Sequence, residues 1–308
     1  MKVDAALGVI SSDPLIRKGM SDFAERFDFR LEQSFAPEAL ESNSAIDQSI
    51  VDCWFVDESA LEAPSRALEE FLEASESPVI YGLRPFSGDP QVLQRECYAL
   101  LKKLIQIIHQ EWKSSEPDIW VLGASLGGPE AVKAFIDKLP KEIPVCFLYA
   151  QHLDEVGSKA LADVIGRDAQ LKVEAIEGLT LLEAGTVYKI PVESSVDFIA
   201  GTCFKTGVPW SGSYRPSIEE LLRKVSFAFG RRANVIYFSG MGEDGALIAN
   251  ELFRRGSRIW AQSVQTCGSS AMPESVISQR ICERIASPGD LAMLLKTLYQ
   301  AMPETHLH

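Results

Sequence analysis

The sequence lacks the clustered cysteines and histidines that build metal sites and disulfide frameworks. Its six cysteines are scattered along 308 residues without a Cys-x-x-Cys pair, and it has four histidines. Structural zinc sites and small secreted domains concentrate these residues at short spacings. We therefore expect neither a metal site nor disulfides, and a reducing cytoplasm is the compartment that the cysteine pattern favours.

Long hydrophobic runs and an excess of basic charge are also missing. No uninterrupted apolar stretch approaches the ~18–20 residues that cross a bilayer, which predicts no stable membrane insertion. The formal net charge is −13, and residues 1–115 hold 20 acids against 11 bases. An acidic chain repels phosphate backbones, so nucleic acid is excluded as an expected partner.

What the sequence does contain is an alternation of strand and helix patterns. The length predicts two domains, and the polar, Pro-containing segment KSSEPD at 113–118 is the predicted linker between 1–112 and 119–304. Strands separated by helical patterns predict parallel βαβ units with helices on both faces. We predict an α/β chain in which a doubly wound, mainly parallel sheet follows a smaller α/β domain.

A serine lies at the turn between a predicted strand and a predicted helix. The strand DIWVLGAS leads into Gly123-Ala124-Ser125-Leu126-Gly127, a G-x-S-x-G pattern. Small neighbours allow a sharp turn that exposes Oγ, and the following helix N-terminus favours a developing oxyanion. Glycine-rich turns also bind phosphate, but a dinucleotide site needs G-x-G-x-x-G and an acid after the next strand. Ser125 is therefore the predicted nucleophile.

A histidine ends the predicted strand that follows. The segment PVCFLYAQH places His152 at its C-terminal end. Right-handed βαβ connections bring such strand ends to one edge of the sheet, and neighbouring strands lie ~4.8 Å apart. His152 is therefore the predicted base for Ser125. Its alternative is a histidine that is satisfied by local backbone.

An acid follows a third predicted strand, in the glycine-rich turn SGMGEDGA. Asp244 lies in this turn and could orient the imidazole of a catalytic histidine. Its alternative is an N-cap for the next helix. The chain order Ser…His…Asp differs from the Ser…Asp…His order of α/β-hydrolases, which makes an ordinary α/β-hydrolase the weaker interpretation.

Five separated segments resemble the chemotaxis protein-glutamate methylesterases in order and spacing. They are GASLGG, AQH, YRPSIEELL, SGMGEDGA and IWAQS…AMPESV, within about residues 117–300. The family hydrolyses methyl esters on glutamates of chemoreceptor helices, and some members also deamidate glutamine. The resemblance implies that Ser125, His152 and Asp244 form a catalytic triad that needs no cofactor or metal. It implies methylated chemoreceptor cytoplasmic helices as substrate partners.

The resemblance also assigns residues around the triad. It places the oxyanion donors at the backbone N–H groups of Leu126 and Met272. A threonine commonly follows the nucleophile in this family, whereas this chain has Leu126, which keeps a backbone donor but removes a hydroxyl. Arg215, in the segment YRPSIEELL, is similar to a substrate-groove element. Its alternative is a surface arginine before a helix.

Family members usually begin with a phosphorylatable receiver domain, a flavodoxin-like α/β fold, and the N-terminal segment AALGVISSDPLIR resembles that start. The acidic pair that binds Mg²⁺ falls on Ser11 and Ser12, which are poor ligands for this ion. Asp57 occupies the phosphoacceptor position, and Arg84 replaces the usual lysine before proline. We expect a degenerate receiver-like domain in which Asp57 is either a phosphoacceptor or a plain strand-end acid.

These features predict a cytoplasmic methylesterase in the adaptation of a chemosensory pathway. A pathway that drives twitching by type IV pili is one candidate setting, and a chemosensory histidine kinase is a candidate partner. The alternative function is a regulatory or binding protein with a vestigial site. Leu126 and the lost receiver acids motivate that alternative, and the intact Ser125, His152 and Asp244 oppose it.

Overall fold

The computed structural model describes residues 2–42, 46–57, 60, 64–108, 117–153, 165–167 and 169–300. The chain divides into two compact units, Lys2–Lys113 and Ser114–His308. Of the predicted linker, residues 113–116 lie outside the described residues, and Asp118 already begins a strand. His109, His306 and His308 lie outside the described residues as well.

The first unit is built on a parallel four-stranded sheet. Its strands are β1 (Ala6–Ile10), β2 (Arg30–Phe35), β3 (Cys53–Asp57) and β4 (Val79–Leu83). Their order across the sheet is β2-β1-β3-β4, and every pairing is parallel. The uniformly buried β1 and β3 lie in the middle, as continuous apolar runs in a parallel sheet require.

The described helices of this unit are α1 (Pro14–Phe27), α2 (Ala39–Ser42), α3 (Arg66–Ala74) and α4 (Pro90–Ile108), with a 3₁₀ turn at Gln48–Ile50. The sequence predicted helices over 37–47, 59–75 and 90–112, each of which extends into residues outside the described set. Asp13 begins α1 by accepting a hydrogen bond from the Leu15 N–H at 2.8 Å.

The second unit is built on a parallel seven-stranded sheet with a small antiparallel sheet beside it. The large sheet has the order β14-β13-β12-β5-β6-β9-β7, and the small one has the order β10-β11-β8. The strands are β5 (Asp118–Ala124), β6 (Val145–Gln151), β7 (Lys172–Ala175), β8 (Thr180–Leu181), β9 (Thr186–Lys189), β10 (Val196–Ile199), β11 (Thr202–Lys205), β12 (Ala233–Tyr237), β13 (Ile259–Gln262) and β14 (Arg284–Ala286).

Helices cover both faces of the large sheet. They are α5 (Gly128–Ile136), α6 (Ile218–Phe229), α7 (Ala246–Arg254), α8 (Ala271–Ile277) and α9 (Pro288–Gln300), with 3₁₀ turns at Gly230–Arg232 and Val264–Thr266. Alternate residues of the central strands enter two separate cores: Ile119 and Val121 pack with α6 and α7, while Trp120 and Leu122 pack with α5 and α9. The predicted doubly wound α/β fold is confirmed.

Most of the helix predicted over residues 158–168 lies outside the described residues. Among the residues that the structure does describe, no helix is both long and apolar enough to cross a membrane.

The strand order determines where the candidate residues meet. β5 lies between β12 and β6, and both pairings are parallel. The C-terminal ends of these three central strands therefore share one edge of the sheet. In doubly wound sheets such an edge, where the chain changes direction across the sheet, is the usual binding site.

Candidate active site

The backbone around Ser125 is fixed on both sides by neighbouring strands. Ala124 is the last residue of β5 and is paired with Gln151 of β6. The Ser125 N–H donates to the carbonyl of Ser239 at 3.0 Å. The Ser125 carbonyl accepts from the Gly128 N–H at 2.9 Å and from Nε2 of Gln151 at 2.7 Å. The serine is thus held on a tight turn at the start of α5.

Two glycines make this turn sterically feasible. Gly127 has φ = +75°, and a Cβ there would lie 2.7 Å from the Ser239 hydroxyl. A Cβ on Gly128 would lie 2.3 Å from Oε1 of Gln151. The G-x-S-x-G pattern therefore reflects a close approach of this turn to β6 and to the end of β12.

His152 lies beside Ser125, one residue beyond the last paired residues of β5 and β6. Its backbone N–H donates to the Ala124 carbonyl at 3.0 Å. Its Nε2 lies 2.8 Å from Oδ2 of Asp244, which leaves Nδ1 as the ring nitrogen for the serine. Within the described residues no hydrogen bond joins Ser125 Oγ to this ring; catalytic contacts are often long before substrate binds.

Asp244 is a buried carboxylate that accepts three hydrogen bonds. Besides His152, the N–H of Ile218 donates to Oδ2 at 2.7 Å and the N–H of Glu219 donates to Oδ1 at 3.0 Å. The Ile218 and Glu219 N–H groups lie at the N-terminus of α6, whose unpaired N–H groups and dipole stabilise a negative charge. The alternative role as the N-cap of α7 is wrong, because Gly245 occupies that position.

The turn that carries Asp244 is anchored at both ends. The Ser239 hydroxyl donates to the Leu126 carbonyl at 2.7 Å and accepts from the Ser269 N–H at 2.9 Å. At the other end, the Tyr237 hydroxyl donates to the Gly245 carbonyl at 2.6 Å. Burial raises the pKa of Tyr237 well above its usual value, so this hydroxyl keeps the proton that it donates.

A hydroxyl nucleophile, an imidazole and a buried carboxylate at one sheet edge are the groups that acyl transfer requires. The sequence model of the CheB methylesterase family matches residues 120–295, which is more than half of the chain. The chain belongs to the CheB methylesterase family.

Relatives and a solved structure support this membership. A Saccharophagus degradans protein named protein-glutamate methylesterase/protein-glutamine glutaminase 1 is 28% identical over 228 residues, which cover 71% of this chain and 55% of that protein. A Nitratidesulfovibrio vulgaris protein named protein-glutamate methylesterase/protein-glutamine glutaminase 2 is 30% identical over 190 residues, which cover 59% of this chain and 51% of that protein.

The Thermotoga maritima CheB methylesterase catalytic domain is similar in structure, with a TM-score of 0.56 and 25% identity over 59% of this chain and 98% of that domain. The chain spans about half the length of the curated relatives that it matches.

The prediction that the Met272 N–H is an oxyanion donor in this member of the CheB methylesterase family is wrong. The N–H of Met272 donates to the Gly240 carbonyl at 2.9 Å, and the residue is fully buried. That N–H is therefore already used to hold α8 against the end of β12. Leu126, by contrast, is 58% exposed, and within the described residues its N–H has no hydrogen-bond partner.

The structure places a different unpaired backbone N–H group near Ser125, which the sequence analysis missed. A Cβ on Gly240 would lie 3.0 Å from Cβ of Ser125, so the backbone passes directly beside Ser125 here. Met241 follows, and in the described part of the chain its N–H has no hydrogen-bond partner. The glycine-rich SGMG segment was the available signal, because such turns present free N–H groups.

The segment before α6 contributes Tyr214 and Arg215. Arg215 is exposed, its peptide bond to Pro216 is cis, and its carbonyl accepts from the Leu153 N–H at 3.4 Å. Tyr214, which the sequence analysis did not select, stacks on His152 with ring centroids 4.8 Å apart. The structure therefore brings Tyr214 onto the ring of His152, whereas the contact it gives Arg215 is through its backbone carbonyl.

Asp57 lies in the first unit and ends β3. It is completely buried: its Oδ1 accepts from the Ala60 N–H at 2.6 Å and its Oδ2 accepts from the Ser11 hydroxyl. Ser12 is exposed. Among the described residues no group of three His, Cys, Asp or Glu side chains could hold a metal ion.

Proposed function

We propose that this chain is a protein-glutamate methylesterase, a serine hydrolase of the CheB methylesterase family. The observation that carries the proposal is the 2.8 Å contact of His152 Nε2 with Asp244, at the strand end next to Ser125. A carboxylate buried behind an imidazole fixes the tautomer in which the second nitrogen accepts a proton. That nitrogen, Nδ1, serves the serine.

The mechanism follows from these positions. Nδ1 of His152 takes the proton of the Ser125 hydroxyl while Oγ attacks the carbonyl carbon of the glutamyl methyl ester. The tetrahedral intermediate collapses, and the imidazolium gives its proton to the departing methoxide, which leaves as methanol. A water molecule, deprotonated by His152, then attacks the acyl-enzyme and releases glutamate and Ser125.

Two backbone N–H groups stabilise the negative oxygen of both tetrahedral intermediates. They belong to Leu126, at the start of α5, and to Met241, beside Gly240. Leu126 follows Ser125 in the chain, and Met241 follows Gly240, whose backbone passes beside Ser125. Neither N–H group has a hydrogen-bond partner within the described residues. Backbone donors need no reorganisation as charge develops, so the loss of the threonine hydroxyl at Leu126 leaves this function intact.

The substrates that we propose are methyl-esterified glutamates on the cytoplasmic helices of chemoreceptors. Exposed apolar side chains, Leu126, Met241 and Tyr214, surround the site, as suits the docking of a protein surface. A groove of about 470 Å³, whose lining includes Tyr214, Asp244 and Leu247, borders the triad at Asp244. Glutamine deamidation is a second reaction of the same acyl-enzyme, with ammonia as the leaving group.

The wider setting is part of the same proposal. We assign residues 1–112 to a degenerate receiver-like regulatory domain, 113–118 to a linker and 119–304 to the catalytic domain, in a cytoplasmic enzyme of a chemosensory pathway. A histidine kinase and a pathway for pilus-based twitching are its candidate partners and context. The acidic pair of a working receiver is replaced by Ser11 and Ser12, which supports regulation without phosphorylation.

A fluorophosphonate probe separates this proposal from the alternative of a vestigial site. The probe reacts with a serine only if a base activates it, so the wild-type chain should be labelled and peptide mapping should find the label on Ser125. Ser125→Ala should remove the label, and Ser21→Ala, which changes an exposed serine of α1 in the first unit, should keep it. An unlabelled wild-type chain would favour a vestigial binding protein.

A further inference from the structure

The imidazole of His152 is covered by an aromatic ring from a separate segment. The ring of Tyr214 lies parallel to it, with an angle of 11° between the planes and 4.8 Å between the centroids. Tyr214 lies between β11 and α6, and 37% of it remains exposed. One face of the tyrosine therefore contacts the catalytic base while part of the residue faces solvent.

The turn that carries Asp244 closes against the same tyrosine. A Cβ on Gly242, which has φ = +95°, would lie 2.8 Å from the Tyr214 hydroxyl oxygen. The glycine thus lets the β12–α7 turn approach Tyr214 while Asp244 binds His152 from that turn. The imidazole is held at its Nε2 edge by the carboxylate and on its face by the tyrosine.

The contact depends on the aromatic ring rather than on the hydroxyl group. Within the described residues the Tyr214 hydroxyl makes no hydrogen bond, whereas the hydroxyls of Ser211 and Ser217 in the same segment do. An aromatic face carries partial negative charge and attracts a cation that lies over it. The imidazole of a serine hydrolase becomes such a cation in each chemical step.

We propose that Tyr214 is a positioning residue for His152. Its ring prevents the imidazole from rotating away from Asp244 and Ser125, and its π face stabilises the imidazolium that forms during acyl transfer. The inference rests on the proposed function, because it needs His152 to act as the base. It adds a fourth side chain, from the segment before α6, to the three of the triad.

Charged groups around His152 remain when the ring is removed. In the described residues they are Asp244 in direct contact, Glu243 beside it in the β12–α7 turn, Glu219 at the start of α6 and Arg215 next to the tyrosine. A change in the pH dependence of labelling in a Tyr214 variant is therefore due to the loss of the aromatic ring and not to a change in these charges. Without the ring the imidazole binds its proton less tightly, so the base becomes available at lower pH.

The test is the rate of fluorophosphonate labelling of Ser125 as a function of pH in the full chain, with Tyr214→Leu, Tyr214→Phe and wild type compared. We expect Tyr214→Leu to react about tenfold more slowly at its optimum, with an acidic limb about half a pH unit or more lower. Tyr214→Phe keeps the ring and should stay within about twofold of wild type. Phe227→Leu, the same kind of loss at an exposed position of α6, is the matched control and should have no effect.

The outcomes distinguish a failure of the positioning role of Tyr214 from a failure of the proposed function. Wild-type rate and pH profile in Tyr214→Leu, or an equal loss in Tyr214→Phe, would overturn the positioning role. A thermal melt of each variant checks the fold, and a lower rate with an unchanged pH profile would assign Tyr214 a purely structural role and also overturn it. A wild-type chain that is labelled but releases no methanol from a methylated receptor contradicts the proposed substrate alone.

Discussion

At the residue scale, the carboxylate of Asp244 selects the tautomer of His152. It accepts from His152 Nε2 and from two backbone N–H groups of α6. An asparagine would use its oxygen for the backbone donors and turn its NH₂ group toward Nε2, which would leave the proton on Nδ1. Asp244→Asn should therefore lower kcat for methanol release by about a thousandfold or more with the fold intact.

Glu251→Gln is the matched control for this substitution, since it changes an exposed acid of α7 whose ion pair is with Arg255. It should keep the wild-type kcat. Retention of more than a tenth of the activity in Asp244→Asn would show that the carboxylate is not needed to orient His152.

At the element scale, the turn from β5 into α5 depends on glycine for two separate reasons. Gly127 and Gly207 have nearly equal positive φ angles, +75° and +74°, but only Gly127 has a neighbour in the way of a Cβ. Gly207→Ala should cost about 1 kcal/mol of unfolding free energy for the backbone alone. Gly127→Ala should cost about 2 to 4 kcal/mol, because the Cβ also displaces Ser239.

Denaturant unfolding of both variants measures this difference, and labelling of Ser125 should fall only in Gly127→Ala. Equal losses of stability in the two variants would mean that the contact with Ser239 relaxes freely. In that case the glycine serves the backbone angle alone.

The sequence predicted the elements that carry Ser125 and His152 because each is a buried apolar strand followed by a polar turn. Parallel neighbours then bring both strand ends to one edge. The partners of Asp244 could not be foreseen, because Ile218 and Glu219 reach it through tertiary packing of α6 and not through a local pattern. Tyr214 was missed for the same reason: it lies in an irregular segment without periodicity.

The error at Met272 also has a physical cause. Resemblance carries a residue type from one protein to another, but only coordinates show which N–H groups are already paired. The Met272 N–H is bound to Gly240, whereas Met241 lies in the turn beside Ser125. The strand and helix after residue 283, β14 and α9, were likewise not assigned from the sequence, although they complete the sheet edge and one core.

At the scale of the whole molecule, the first unit has a parallel four-stranded sheet in which the strand-end acid Asp57 is enclosed. Both oxygens of Asp57 accept hydrogen bonds inside a fully buried site, one of them from Ser11. Phosphoryl transfer to a carboxylate needs access and a Mg²⁺ ion held by neighbouring acids. We expect no acyl phosphate on Asp57 after incubation with acetyl phosphate and Mg²⁺, as measured by intact mass.

A mass increase of one phosphoryl group that disappears in Asp57→Asn would contradict this expectation. The same preparation should show a methylesterase rate that does not change with acetyl phosphate. A rate that rises on phosphorylation would show that the first unit controls the esterase through Asp57.

The most direct test of the central claim is methanol release from a chemoreceptor cytoplasmic fragment that carries radiolabelled methyl esters. The second unit places Ser125 beside the His152–Asp244 pair, so the wild-type chain should release labelled methanol and Ser125→Ala should release none above background. Ser21→Ala, which removes an exposed hydroxyl of α1 in the first unit, should match the wild type. Release by Ser125→Ala at more than a few per cent of the wild-type rate would contradict the assignment of Ser125 as the nucleophile.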